Sequence, residues 1–230
     1  MRWGLIPTNP AQMVDPPPMT RTTIHPFTRE EAERFSTAAA DDRLAARWLI
    51  GLLLGLRQGE ALGITWDNID IDSRTLTVSH ALQRTDNNFQ LVAPKTKRSV
   101  RVLPLPVVVA TALEKRRTEQ QAEAERAAQL WKGNERGLVF TTHVGSPIER
   151  SNDYRAFQAL LRRAGLRKIR LHDLRHTTAS LMLEQGVPAR VVMELLGHSQ
   201  ISLTLDTYTH VDKRLLADAS ALIERLIGGE

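Results

Sequence analysis

The sequence predicts a mainly α fold with a small antiparallel β-sheet, an α+β domain. Two observations predict it. Most of the chain after Thr28 carries apolar residues at helical spacing, and only residues 68 to 103 carry alternating, β-branched runs broken by turn residues. With 230 residues, of which 42% are hydrophobic and 25% charged, the chain can bury a full core as one domain with a tail. No apolar run approaches the roughly 20 residues that span a bilayer, so no membrane contact is expected. MRWGLIPTNP lacks the apolar core of a signal peptide, and the expected location is cytoplasmic. A net charge of +5 and a pI near 10.0 point to a polyanionic partner, nucleic acid first. The absence of cysteine excludes disulfides, thiolate catalysis and Cys-ligated zinc.

Residues 1–25 hold Pro7, Pro10, Pro16, Pro17 and Pro18, and Pro26 follows directly; proline at this density breaks helices, so the segment reads as a linker. The domain begins near Thr28, which with Glu31 forms a capping box ahead of Ala32, Phe35 and Ala39. A helix over 42–56 is apolar nearly all round (Trp48, Leu49, Ile50, Leu52, Leu53, Leu54) and is expected to be buried. Strands are expected over 68–72, 75–82, 89–92 and 100–103, as one antiparallel sheet of three strands with room for a short fourth. Pro104 and Pro106 close the sheet. A long helix over 107–131 turns charged in its second half, which predicts a solvated end. Further helices are expected over 152–164, 172–185, 189–196, 201–209 and 212–227.

The chain has two tyrosines. Tyr154 falls in an apolar pattern with Phe157, Leu160, Leu161 and Ala164 and reads as core. Tyr208 follows polar residues in ISLTLDTYTH and reads as a phenol placed for chemistry. A phenol ionises near pH 10 and attacks poorly at neutral pH unless cations stabilise the charge that forms. The chain supplies candidates. Arg57 lies in GLRQGE, where Gly55 and Gly59 are expected to leave room for a phosphate, and Glu60 lies one turn on, where it can orient Arg57. His172 and Arg175, at i and i+3 in LHDLRHTTAS, share a helix face. His172 with His176 at i+4 is the rival zinc reading, weakened by Asp173 where a general base would stand and by the adjacent arginine. His198 follows a helix-stopping glycine, and Lys95 sits in a basic turn, PKTKRSVR.

Taken together and in this order, GLRQGE, PKTKRSVRVLPL, LHDLRHTTASLML and LLGHSQISLTLDTYTH resemble the catalytic domain of the tyrosine recombinases, the phage integrase family, over 28–212. The resemblance implies the tyrosine-recombinase catalytic-domain fold over 26–212 and site-specific DNA recombination or integration of the kind used by phages and mobile elements. It implies Tyr208 as nucleophile, Arg57 and Arg175 as phosphate clamps, and Lys95 as general acid to the leaving 5′ oxygen. His172 would assist proton transfer, His198 would bind the scissile phosphate, and Glu60 would support the site. The expected partners are double-stranded DNA and further copies of the chain, as a tetramer in the synapse, with directionality or bending proteins. No cofactor and no metal are expected. Residues 1–25 resemble the tail of an otherwise missing core-binding domain. Residues 213–230 read as a helix that either folds back or, by the resemblance, is exchanged between protomers. Two rivals stand: strand cleavage and resealing of the type IB topoisomerase kind, and a non-catalytic DNA-binding module.

Overall fold

The computed structural model describes Val14 and residues 25–86, 88–93 and 100–197. Lys95, His198, Tyr208 and the two last expected helices lie outside the described residues, as does nearly all of the linker.

Helix α1 spans Arg29–Ala40, and its start follows from one side chain. Thr28 accepts from the Glu31 N–H at 3.2 Å while Glu31 accepts from the Thr28 N–H at 2.9 Å. Phe27, just ahead, packs on Phe35, which meets Phe157 edge-on. Helix α2, Ala45–Leu53, is the buried centre, with Ala45 through Leu52 all enclosed. It starts later than expected because residues 41–44 form turns ahead of it. The Asp42 carboxylate accepts from the Leu44 N–H and the Trp48 indole N–H, which holds a turn ahead of the helix. GLRQGE forms a short helix, α3, Gln58–Leu62, which the sequence reading left unassigned.

The expected single sheet is two. Strands β1 (Ile69–Asp70), β2 (Thr75–Val78) and β5 (Arg101–Pro104) form an antiparallel sheet in the order β1-β2-β5, while β3 (Ala81–Thr85) and β4 (Asn88–Val92) form a separate hairpin. The run expected over 75–82 breaks at Ser79-His80 because β3 is drawn onto α3. A Cβ on Gly63 would lie 2.7 Å from the Leu82 nitrogen, so only glycine lets the two backbones approach this closely.

Helix α4 spans Val107–Ala127, and its charged half is not uniformly solvated as expected. Arg116, Gln120 and Glu123 are buried. Glu123 accepts from the Arg43 Nη2 at 2.7 Å and the Arg116 Nη2 at 3.0 Å, and Gln120 accepts from the Trp66 indole at 2.8 Å. Spaced at i, i+4 and i+7, these polar residues face the core, where Arg116 pairs with Glu123 and Gln120 Nε2 donates to the Leu138 carbonyl at 2.9 Å. Helices α5 (Arg150–Arg163), α6 (Leu171–Glu184) and α7 (Ala189–Leu196) follow close to the expected positions. Tyr154 is only partly buried, and the fully enclosed polar residue of α5 is its neighbour Asp153, paired with Arg47 at 2.9 Å. The main core runs from Phe27 through α2 to Phe157 and Leu174. A smaller cluster of Ala179, Val192 and Leu196 joins α6 to α7.

Candidate active site

Arg57 stands at the start of α3, where the chain leaves the buried α2 and reaches the surface; its side chain is 44% exposed. Glu60, one turn on, holds it twice. The Arg57 N–H donates to Glu60 Oε2 at 3.0 Å and Nη1 donates to Oε1 at 2.8 Å. This is the orienting carboxylate the spacing suggested. The flanking glycines serve packing, not the open phosphate approach expected of them. Gly55 has φ +59°, and a Cβ there would lie 2.4 Å from Leu196 Cδ2; one on Gly59 would lie 2.9 Å from an Arg150 guanidinium nitrogen. They let α7 and β3 close against the turn, which fixes Arg57 from both sides.

Arg175 is buried, and its Nη1 donates to the Gly55 carbonyl at 2.9 Å. That bond joins α6 to the turn that carries Arg57. Thr178, one turn further, donates to the Leu52 carbonyl at 2.7 Å and repeats the junction. His172 begins the same helix face at the surface. Partial enclosure of its ring, then the charges of Arg175 and Arg57, hold its pKa below the ordinary histidine value, with Asp173 opposing. The sign means that His172 is neutral near pH 7. Arg57 thus acts on His172, next to Arg175 on α6, although Arg57 lies far from both in the sequence. Asp173 is a helix-start carboxylate: it accepts from the Arg170 N–H at 2.8 Å and pairs with the Arg170 side chain.

His176 lies edge-on to His172, ring centroids 5.0 Å apart, and its pKa is lowered to about 4 by enclosure and then by His172. Two imidazoles alone fall short of the three or four ligands that hold zinc. Among the described residues no group of three or more His, Asp or Glu is placed to hold a metal ion.

One residue of the site carries no distinguishing signal in the sequence, where it is the last of four cations in PKTKRSVR. Arg101, on β5, is enclosed and donates through Nη2 to Glu60 Oε2 at 3.0 Å and through Nε to the Leu195 carbonyl at 2.9 Å. Burial raises the Glu60 pKa, but the hydrogen bond and charge of Arg101, followed by the Arg57 N–H and charge, outweigh it and hold Glu60 below the ordinary carboxylate range. The carboxylate is therefore ionised at neutral pH. Helix α7 ends in Gly197 at φ 67° and ψ 47°, the left-handed stop expected from the sequence, and Arg57 Nη2 donates to its carbonyl at 3.2 Å. His198 follows that carbonyl directly and Tyr208 comes later in the same segment.

A mainly helical domain with a three-stranded sheet and a hairpin, gathering cations at the end of α7, has the tyrosine-recombinase catalytic-domain fold. A solved structure of the Tn1549 transposon integrase in complex with a circular intermediate DNA overlays with a TM-score of 0.74 at 22% identity, covering 94% of this chain and 70% of that one. The crystal structure of XerA recombinase overlays at 0.65 and 22% identity, covering 90% and 66%. The chain belongs to the phage integrase family, whose model matches residues 26–214. A tyrosine recombinase XerC-like protein of Caldanaerobacter subterraneus is 35% identical over 217 residues, covering 90% of this chain and 54% of that protein. The ICEBs1 integrase of Bacillus subtilis is 27% identical over 209 residues, covering 90% and 56%. The chain spans about half the length of these curated relatives.

Proposed function

We propose that the chain is the catalytic part of a site-specific DNA recombinase that breaks and rejoins DNA through Tyr208. The observation that carries this reading is the junction of Arg57, His172 and Arg175 at the end of α7, from which the Tyr208 segment departs. It is supported by membership of the integrase family and by the match of all four sequence blocks.

A phosphodiester is an anion that repels nucleophiles, and its cleavage builds charge on the non-bridging oxygens and on the leaving oxygen. In the proposed reaction Arg57 and Arg175 hold the non-bridging oxygens, with His198 from the following segment. Tyr208 attacks phosphorus to give a 3′-phosphotyrosine. The leaving 5′ oxygen takes a proton from Lys95, and neutral His172 moves the phenol proton. The phosphotyrosine retains the bond energy, so a 5′ hydroxyl of a second strand reverses the step and joins the new partner. ATP is not needed, and the sequence has no GxxxxGK[ST] loop. Double-stranded DNA is the substrate, and strand exchange requires further copies of the chain on that DNA.

The test uses nicked duplexes with a randomised core, from which the short fragment bearing the freed 5′ hydroxyl is lost after cleavage, so that religation fails. Wild-type protein is expected to trap DNA in a covalent band on a denaturing gel, and Tyr208→Phe is expected to give none. DNA binding without a covalent band from either protein would overturn the recombinase reading in favour of a binding module. Covalent trapping with relaxation of supercoils, but no joining between duplexes, would select the topoisomerase-like reading.

A further inference from the structure

Arg101 joins three parts of the chain that the proposed chemistry needs. It opens β5, so it directly follows the segment that bears Lys95. Its guanidinium grips Glu60 with both ends, Nη2 to Oε2 at 3.0 Å and Nη1 to Oε1 at 3.4 Å, while Nε caps the Leu195 carbonyl at the end of α7. The Arg101 side chain is only 8% exposed, whereas that of Arg57, on the same carboxylate, is 44% exposed. Gly197 is shaped to this arginine: a Cβ there would lie 2.9 Å from Arg101 Nη1 and 3.1 Å from Cζ. The connections close into a ring. Arg101 holds Glu60, Glu60 holds Arg57, Arg57 holds the Gly197 carbonyl, and Arg101 holds the carbonyl two residues before it.

We infer that Arg101 is a positioning residue that sets the aim of Arg57 through Glu60 and anchors the end of α7 from which His198 and Tyr208 depart. This inference rests on the recombinase reading above. The physical reason lies in the fork of arginine. Three N–H groups in fixed geometry reach a carboxylate and a helix-end carbonyl together, which a lysine ammonium on a flexible stem does not reproduce. The helix C-terminus also carries partial negative charge, so a cation there is favoured twice. Misplacing a phosphate clamp by about 1 Å costs on the order of 100-fold in rate, so an enclosed residue that acts through Glu60 can control the reaction.

The experiment compares wild type, Arg101→Lys, Arg101→Gln, Glu60→Gln and the Arg101→Gln/Glu60→Gln double variant. It measures DNA affinity, single-turnover covalent trapping at saturating DNA, thermal melting, and amide exchange over 189–197 without DNA. Arg101→Gln and Arg101→Lys are expected to slow trapping by about 100-fold with affinity little changed, and to raise exchange at the end of α7. The double variant is expected to be no slower than the worse single one, because both act through one carboxylate. A wild-type rate in a folded Arg101→Lys, or full additivity in the double variant, would overturn the inference. So would weaker DNA binding at an unchanged saturated rate, which marks a DNA contact. Unfolding of both Arg101 variants would assign the residue to stability alone and overturn it too. If wild type itself traps no DNA, the recombinase reading fails, while amide exchange still reports whether Arg101 anchors α7.

Discussion

Two arginine–carboxylate clusters are built on arginines ten residues apart, Arg47 and Arg57, and do opposite things. Arg47, in α2, pairs with Asp153 of α5 at 2.9 Å, and both side chains are fully enclosed. Arg57, just past the end of α2, pairs with Glu60 at 2.8 Å and keeps 44% of its side chain in solvent. A third residue touches both neighbourhoods: Gln58 donates to Asp153 Oδ2 at 2.9 Å from the position next to Arg57. The first cluster is a strut across the core, with Arg47 also 5.4 Å from the centroid of the Trp48 ring. The second leaves an arginine fork facing outward. The same pair of residue types thus serves packing in one place and presents a cation in the other, and burial alone separates the two roles.

Mutation is expected to separate them as well. The largest expected effect is on the buried strut. Asp153→Ala strands a charged Arg47 and is expected to lose about 3–5 kcal/mol of stability in a denaturant melt. Arg57→Ala is expected to invert that pattern. Arg57 is exposed and Glu60 keeps Arg101 as a partner when Arg57 is removed, so the pair contributes about 0–1 kcal/mol and the melt barely moves. Covalent trapping of DNA, by contrast, falls about 100- to 1000-fold, the ordinary cost of one preorganised donor. A large stability loss in Arg57→Ala, with trapping intact, would erase the distinction. Gly55→Ala sits between the clusters, with φ +59° and its Cβ at 2.4 Å from Leu196 Cδ2. It is expected to cost about 1–3 kcal/mol by forcing α7 away, and to slow trapping as well, since Arg57 leans on the end of α7.

A pH titration gives a smaller effect. The folded pKa of His176, about 4, lies below its unfolded value near 6.5. The unfolded chain therefore takes up the proton first, and stability is expected to fall as pH drops from about 6.5 to 4. His176→Phe should flatten that limb of a melting-temperature profile, and an unchanged slope would refute the assignment. The smallest effect sharpens the comparison. Replacing Arg47 and Asp153 together with Met and Leu is expected to leave stability nearly unchanged, because a buried pair costs much of its attraction in desolvation. The same treatment of Arg57 and Glu60 should instead remove trapping.

Much of the helical frame was legible because its signals are local. The Thr28–Glu31 capping box, the all-round apolar α2 and the Gly197 stop each depend on a few adjacent residues; the box and the stop form where the pattern places them, and α2 forms as a shorter buried helix inside its expected range. The late start of α2 is local, set by Asp42, but the larger errors come from long-range packing. The break of 75–82 into β2 and β3 comes from the approach of Leu82 to Gly63, and the enclosure of Arg116 and Glu123 comes from Arg43, far away in sequence. Gly55 and Gly59 read as space for a phosphate, yet neighbours from α7 and α5 occupy that space.

By itself, the sequence determined the family and the order of its blocks, since residue identity and spacing are written along the chain. It also placed His172 and Arg175 on one helix face and Glu60 within reach of Arg57, because helical geometry fixes separations of three residues. Only the tertiary structure decided that Arg101 belongs with Glu60, that Arg175 grips the Gly55 carbonyl, and that Asp153 rather than Tyr154 is the enclosed polar group of α5. Those outcomes depend on which distant surfaces meet and which side chains lose their water. No local pattern encodes that choice, because it is settled by the packing of the whole domain.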